Sequence, residues 1–420
     1  MALAHSGTGK GGGRSAGFQY LAAALVLFLT LLGSHLATPL YPIWQERFGL
    51  STSQVTLIFS CYPVGVTAGL LFGGRLGDQL GRRPLVLAGI LLTAVSSVIY
   101  LVASGMGHLV AARLVNGIAI GLFSGPALAA IVELHPAGNK AEGSRTGAIA
   151  TISSPAAGLL MATLVVQFAD NERVTTFPFL FQLAGLATAL ALLASYRETI
   201  QPEHRKPVGQ ASFAPQGLWV PPEIRASFTF ASVAGALSWA TTGLWLALGP
   251  AMALEVLGTT NRLFGGLTVV AFLSMAGLVQ LFTRNMHFRR AITLGLVLIP
   301  PSVALVCVTL AWQSTAGLVA SAVLAGAAQG LSWMGCSELV NRISPPESRA
   351  AVLSGLYISA YLGAAMPIVF TGFAVDWFGL LPAIIVLSVA FSLLAVILQM
   401  SNVRHARIDT AVEPAPPPAL

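Results

Sequence analysis

Residues 73–84 read GGRLGDQLGRRP, an aspartate and three arginines framed by glycines and set between two long apolar runs. The chain around them has 420 residues, 55% hydrophobic and 9% charged. Soluble domains carry about a quarter charged residues, so water is not the main solvent of this protein. Four charges within so short a stretch mark a point where such a chain surfaces from lipid, and the runs on either side then become membrane spans.

Moving outward, apolar stretches recur at 18–41, 52–73, 84–104, 108–133, 146–168, 177–196, 226–250, 262–282, 291–311, 315–340, 350–374 and 380–400. Most have about 20 residues, the helix length that crosses a hydrocarbon core of ~30 Å. Backbone polar groups in lipid must be paired within their own segment, so all twelve are expected to be helices. Period-two alternation is absent, and no strands are expected. The fold class is therefore an all-α integral membrane protein with twelve transmembrane helices and both termini on one side. The first run is too long for the core of a signal peptide and ends in TPLYP, so it reads as a retained helix.

The basic residues assign that side. With cytoplasmic termini, only Arg47, Arg173 and Arg262 fall outside and Arg113 within a span; the rest of the 22 Lys and Arg lie in cytoplasmic segments. The net charge of +7 then belongs to the inner membrane face, and no nucleic-acid partner is implied. A bacterial cytoplasmic membrane is the expected location. Cys61, Cys307 and Cys336 each sit inside a span, with neither a disulfide framework nor a zinc spacing, so no metal or cofactor is expected.

Segment 197–225 is rich in Pro and charge and separates six spans from six. AIVELHPAGNKAEGSRTGA (130–148) matches GCSELVNRISPPESRAAV (335–352), with Glu133 against Glu338 and Arg145 against Arg349. Two six-helix bundles related by a parallel pseudo-repeat are expected, at 18–196 and 226–400, joined by a cytoplasmic linker at 197–225 and flanked by disordered cytoplasmic tails at 1–17 and 401–420. The repeated glutamates suit structural pairing with loop arginines, and Glu255 and Asp376 are expected to face water near the outer ends of spans seven and eleven.

The opening stretch, spaced Gly74-x-Leu76-Gly77-Asp78-x-x-Gly81-Arg82-Arg83, is expected as a tight loop between spans two and three, where Asp78 accepts from a helix N-terminus or pairs with Arg82. The spacing resembles the loop signature of the major facilitator superfamily. That resemblance implies alternating access and a role for Asp78 as an inner latch against the start of span eleven, near Arg349. Arg113, Asn116, Gly117, Gly121 and Ser124 share one face of span four. They resemble the Arg-x-x-x-Gly-x-x-x-Gly pattern of proton-driven members, and Arg113 either lines a pathway or snorkels to the outer boundary. In span five Ser154, Pro155 and Gly158 keep part of the pattern that the superfamily's antiporters carry, and helix packing explains them equally.

His35 is the only ionisable side chain in the body of span one, at about the depth of Arg113. It either titrates near physiological pH or packs as a neutral ring. Trp239, Trp245, Gln329, Trp333, Tyr357 and Tyr361 are candidates to line a substrate cavity from the second half, against the commoner fate of packing or interface anchoring. Together these residues imply a secondary transporter most like the drug:proton antiporter branch, exporting small amphipathic molecules with protons as coupling partner, and acting as a monomer. The alternative is an importer or uniporter of a sugar or organic acid. A membrane enzyme would need convergent catalytic groups and a sensor an attached signalling domain, and neither is evident.

Overall fold

The protein is described by a computed structural model covering residues 12–170, 173–212, 219–257 and 262–410. Every regular element among them is helical: α1 (Gly12–Leu31), α2 (Tyr41–Phe48), α3 (Thr52–Leu80), α4 (Arg82–Leu101), α5 (Met106–Glu133), α6 (Lys140–Phe168), α7 (Phe177–Ser195), α8 (Arg225–Leu257), α9 (Arg262–Phe282), α10 (Phe288–Trp312), α11 (Thr315–Ile343), α12 (Arg349–Phe378) and α13 (Leu380–Thr410). Twelve helical segments are long and apolar enough to cross a membrane, the first running through α1 and α2 from Ala16 to Phe48. Helix extends over residues 12–17 and 401–410, which the sequence assigns to the tails. The remaining tail residues, 1–11 and 411–420, and linker residues 213–218 lie outside the described residues.

The stretch that opens the sequence reading is not the loop expected of it. Helix α3 continues through Gly74, Gly77 and Asp78 to Leu80, and only Gly81 is non-helical, at φ +108°. Glycine inside a helix costs about 1 kcal/mol relative to alanine, but here it allows close approach. A Cβ on Gly65, Gly69 or Gly73 would stand 2.5, 2.5 or 2.6 Å from the carbonyl oxygens of Leu114, Ile118 and Leu122, and one on Gly77 would stand 2.7 Å from Pro126. The close crossing of α3 and α5 carries the helix past its apolar run.

Packing divides the chain into two compact units, Met1–Ala37 with Gly65–Gln216, and Thr38–Val64 with Gly217–Leu420. The division falls inside α3. In the second unit Gly326 and Gly330 of α11 meet the carbonyls of Phe272 and Ala276 on α9, so spans eight and ten cross on glycine as spans two and four do. Some buried hydroxyls are satisfied locally: Thr93, Ser97 and Thr163 each donate to the carbonyl four residues back, which lets these side chains sit inside spans without an external partner.

Candidate functional site

In the first unit the site begins where span one stops being an α-helix. After α1, Leu32–His35 and Thr38–Leu40 form short 3-10 turns before α2. Pro39 has no N–H and its ring crowds the carbonyl four residues earlier, and Gly33 is a poor helix former, so both weaken a continuous helix here. The break releases carbonyl oxygens in mid-span, where only protein groups can pair them. Arg113 Nη1 of α5 donates to the Ser34 carbonyl at 2.9 Å, and Gln182 Nε2 of α7 donates to that of Leu29 at 3.2 Å.

Arg113 is 1% exposed and therefore does not snorkel. It is the only charged side chain among the fully buried polar residues described. Asn116, one turn along α5, is buried, and its Oδ1 has no hydrogen-bond partner among the described residues; the same holds for Ser34 Oγ, Ser154 Oγ and Gln182 Oε1. Gly158 of α6 faces the Leu32 carbonyl, and any side chain there would collide with it. The span-five residues thus hold the third helix against the break: Pro155 lies within α6 and Ser154 is buried beside it. His35 closes the second 3-10 residue pair of the same break, next to Ser34.

Gln182 is absent from the sequence reading. Its signal is an amide alone in an otherwise apolar span, FPFLFQLAGLATALALLAS. Gly33 makes room for it, since a Cβ there would stand 2.8 Å from Gln182 Nε2.

In the second unit four rings from three helices meet edge to face. Trp239 of α8 lies 5.3 Å from Trp333 of α11 and 4.7 Å from Tyr361 of α12, and Trp333 lies 5.2 Å from Tyr357. The Trp239 indole N–H is buried with no acceptor among the described residues. Gln329 is buried one turn before Trp333 on α11. Trp245 does not join them: it is fully buried and stacked on Phe272 of α9, as part of the core. Glu255 is exposed.

The arginine-rich ends of α3 and α4 form a separate cluster. Arg82 pairs with Asp78 at 2.6 Å and with Glu133 at 3.3 Å, and the Thr199 hydroxyl donates to Glu133. Glu338 pairs with Arg342 at 2.6 Å, so both repeated glutamates hold arginines. Glu198, in the segment after α7, accepts the backbone N–H groups of Arg82 and Arg83 at 2.9 Å each and those of Thr199 and Ile200. It is the N-terminal cap of α4. Gly81 is required beneath it both for its positive φ and because a Cβ would stand 2.6 Å from Glu198 Oε2. Backbone bonds from Lys206 and Ser212 to Gln79 continue the same attachment.

The superfamily resemblance of the opening stretch is decided by comparison of the whole chain. The family model described as Major Facilitator Superfamily matches residues 23–300. The chain belongs to the major facilitator superfamily. It is a multi-pass membrane protein of two six-helix bundles. Quinolone resistance protein NorA of Staphylococcus aureus (strain N315) is 27% identical over 116 residues, which is 28% of this chain and 30% of that protein. The chain thus spans less than a third of that relative's length. Among solved structures, a bacterial homologue of the human lysosomal transporter Spinster, inward-facing and unoccupied, superposes with a TM-score of 0.72 at 16% identity, over 93% of this chain and 97% of that one. A D-xylose–proton symporter gives 0.70 at 17% identity, over 90% and 96%. These likenesses show the superfamily fold.

The cap gives this superfamily member a defined acid sensitivity. Burial alone would raise the Glu198 carboxyl, but the four backbone N–H donors outweigh it and the net effect is a lowered pKa. A carboxylate held low in the folded state contributes stability above its unfolded pKa, and that contribution is lost as pH falls through the folded value. Glu198→Gln is expected to lower the melting temperature of the detergent-purified protein at pH 7, the loss of a good cap costing roughly 0.5–2 kcal/mol. The difference from wild type should close below about pH 4. A gap that is constant from pH 7 to pH 3 contradicts this assignment.

Proposed function

We propose that this transporter is a proton-coupled exporter of small amphipathic molecules that are neutral or anionic, working as a monomer by alternating access in the bacterial cytoplasmic membrane with both termini cytoplasmic. The observation that carries the reading is Arg113, a buried guanidinium resting on the Ser34 carbonyl beside His35. A buried unpaired charge costs several kcal/mol even after relaxation, so a site for lipophilic cations would be expected to supply a buried carboxylate. Among the described residues no carboxylate is fully buried, and Glu255 is exposed. The fixed charge has the opposite sign, and a planar guanidinium suits carboxylate or phosphate.

The aromatic cluster is the proposed wall for an apolar, flat substrate body, with Trp239, Trp333, Tyr357 and Tyr361 as lining, Gln329 at its edge and the Trp239 N–H as a donor to a substrate acceptor. His35 is the proposed proton carrier, Asn116 a polar companion of Arg113, and Ser154, Pro155 and Gly158 the packing that holds the break. Asp78, with Gly74, Gly77, Gly81, Arg82 and Arg83, is the proposed inner latch. The likeness to a quinolone resistance protein supports export of drug-like molecules; the likeness to a sugar symporter is one of fold.

Competition in proteoliposomes tests the sign of the site. Acidic and neutral amphiphiles are expected to compete and to accumulate, and quaternary ammonium dyes are not. Transport of the dyes without competition from the acids would reverse the reading. Trp239→Phe, which keeps the ring and removes the donor, is expected to weaken half-saturation about 3–10-fold for acceptor-bearing substrates, the worth of one hydrogen bond.

A further inference from the structure

Asp376 stands near the C-terminal end of α12. Its Oδ1 accepts the backbone N–H of Thr52 at 2.8 Å and its Oδ2 that of Ser53 at 3.0 Å, the first two residues of α3. Both oxygens of an acid therefore cap the N-terminus of another helix, where the helix dipole also favours negative charge. The contact continues along both helices. A Cβ on Gly372 would stand 2.9 Å from Ser53 Cα and collide with the Thr56 hydroxyl, and the Ser60 hydroxyl donates to the Ala365 carbonyl at 3.3 Å. Asp376, Gly372 and Ala365 of α12 thus run beside Ser53, Thr56 and Ser60 of α3.

The sequence of this corner repeats that of the junction between α3 and α4. Residues 372–379 are GFAVDWFG and residues 74–81 are GRLGDQLG, both Gly-x-x-x-Asp-x-x-Gly. Each aspartate lies near the C-terminal end of a spanning helix, and each final glycine ends that helix with a positive φ, +108° at Gly81 and +86° at Gly379. The two differ in what the acid holds: Asp78 pairs with Arg82, four residues on at the start of the next helix, whereas Asp376 holds the start of a helix far away in the chain. Asp376 is exposed, so water can replace Thr52 and Ser53 as its partners at little cost, which suits a contact that is made and broken.

We propose that Gly372, Asp376 and Gly379 form a second latch, at the outer ends of α3 and α12, made in one state of the transport cycle and released in the other. The proposal rests on the alternating-access reading and extends it to a site at the opposite end from Asp78. It assigns Asp376 to conformational control rather than to binding substrate or carrying protons.

The test reads the contact directly, by labelling instead of transport. In a background with Cys61→Ala, Cys307→Ala and Cys336→Ala, Thr56→Cys places a thiol under the contact, where Thr56 is fully buried. Labelling of intact cells by a membrane-impermeant maleimide is expected to be slow. Adding Asp376→Asn is expected to raise the rate about threefold or more, the scale of a helix-end charge. Gly372→Ala reaches the same contact sterically and is expected to act in the same direction, which keeps the test open if the aspartate variant fails to accumulate. Unchanged labelling in a protein with unchanged melting temperature overturns the latch, and so does a lower melting temperature with unchanged labelling, the signature of a static cap. Loss of proton-driven export with intact labelling differences would remove the coupling reading and leave the latch standing.

Discussion

Arg113→Ala is expected to reduce transport by about 100-fold or more in proteoliposomes, with the protein still inserted and purifiable. The substitution removes a buried charge, the only one among the fully buried polar residues described, and a donor to the Ser34 carbonyl, which lies in a 3-10 turn. Leaving a buried acceptor unpaired costs about 1–3 kcal/mol. That cost falls on the break in span one, so it acts on the geometry of the site as well as on its charge. Losing a charge-assisted contact to an anionic substrate adds to it, and each 1.36 kcal/mol is a factor of ten. Arg113→Lys separates the two contributions. It keeps the charge and loses the planar fork, so an intermediate rate is expected, with selectivity for carboxylate substrates reduced. Wild-type transport by Arg113→Ala would show that the guanidinium is a packing element, and the proposed sign of the site would go with it.

The spans were legible because lipid permits few solutions: an apolar run of the right length has to be helix, and every apolar stretch of the sequence contains one. The ends were less legible. Gly74, Gly77 and Asp78 read as a loop because glycine and charge usually mark one, yet α5 sits so close that glycine is the residue that fits in a continuing helix. The position of Arg113 was readable, but whether it snorkels depends on a partner 79 residues away in the chain, the Ser34 carbonyl in the broken part of span one. Gln182, Glu198 and the Asp376 cap belong to the same kind. Each is an ordinary residue in the sequence, and its role comes from a neighbour that only the packing supplies. Trp239, Trp245, Trp333, Tyr357 and Tyr361 were readable only as single candidates; that four of them meet and Trp245 stands apart on Phe272 comes from the packing.

His35→Gln is expected to abolish uphill transport driven by a pH gradient while leaving downhill exchange of substrate measurable. Histidine is the side chain whose ordinary titration lies near neutral pH, and His35 sits in the broken part of span one, adjacent to the residue whose carbonyl Arg113 holds. A protonated ring and a guanidinium repel, so loading a proton and keeping Arg113 on Ser34 oppose each other. An anionic substrate at Arg113 lessens that repulsion. In the proposed mechanism proton and substrate would thereby be linked through one guanidinium, as coupling requires, since a ligand shifts an equilibrium only by its differential interaction with the two states. Glutamine keeps the polarity and approximate size of the ring and removes the titration, so a folding defect is not the expected outcome. The measurement is substrate accumulation in proteoliposomes under an imposed pH gradient, beside counterflow with no gradient. Accumulation by His35→Gln at the wild-type level would place the proton elsewhere, with Glu255 as the next residue to replace. Loss of both accumulation and counterflow would assign His35 to the binding site itself and remove it from the coupling step.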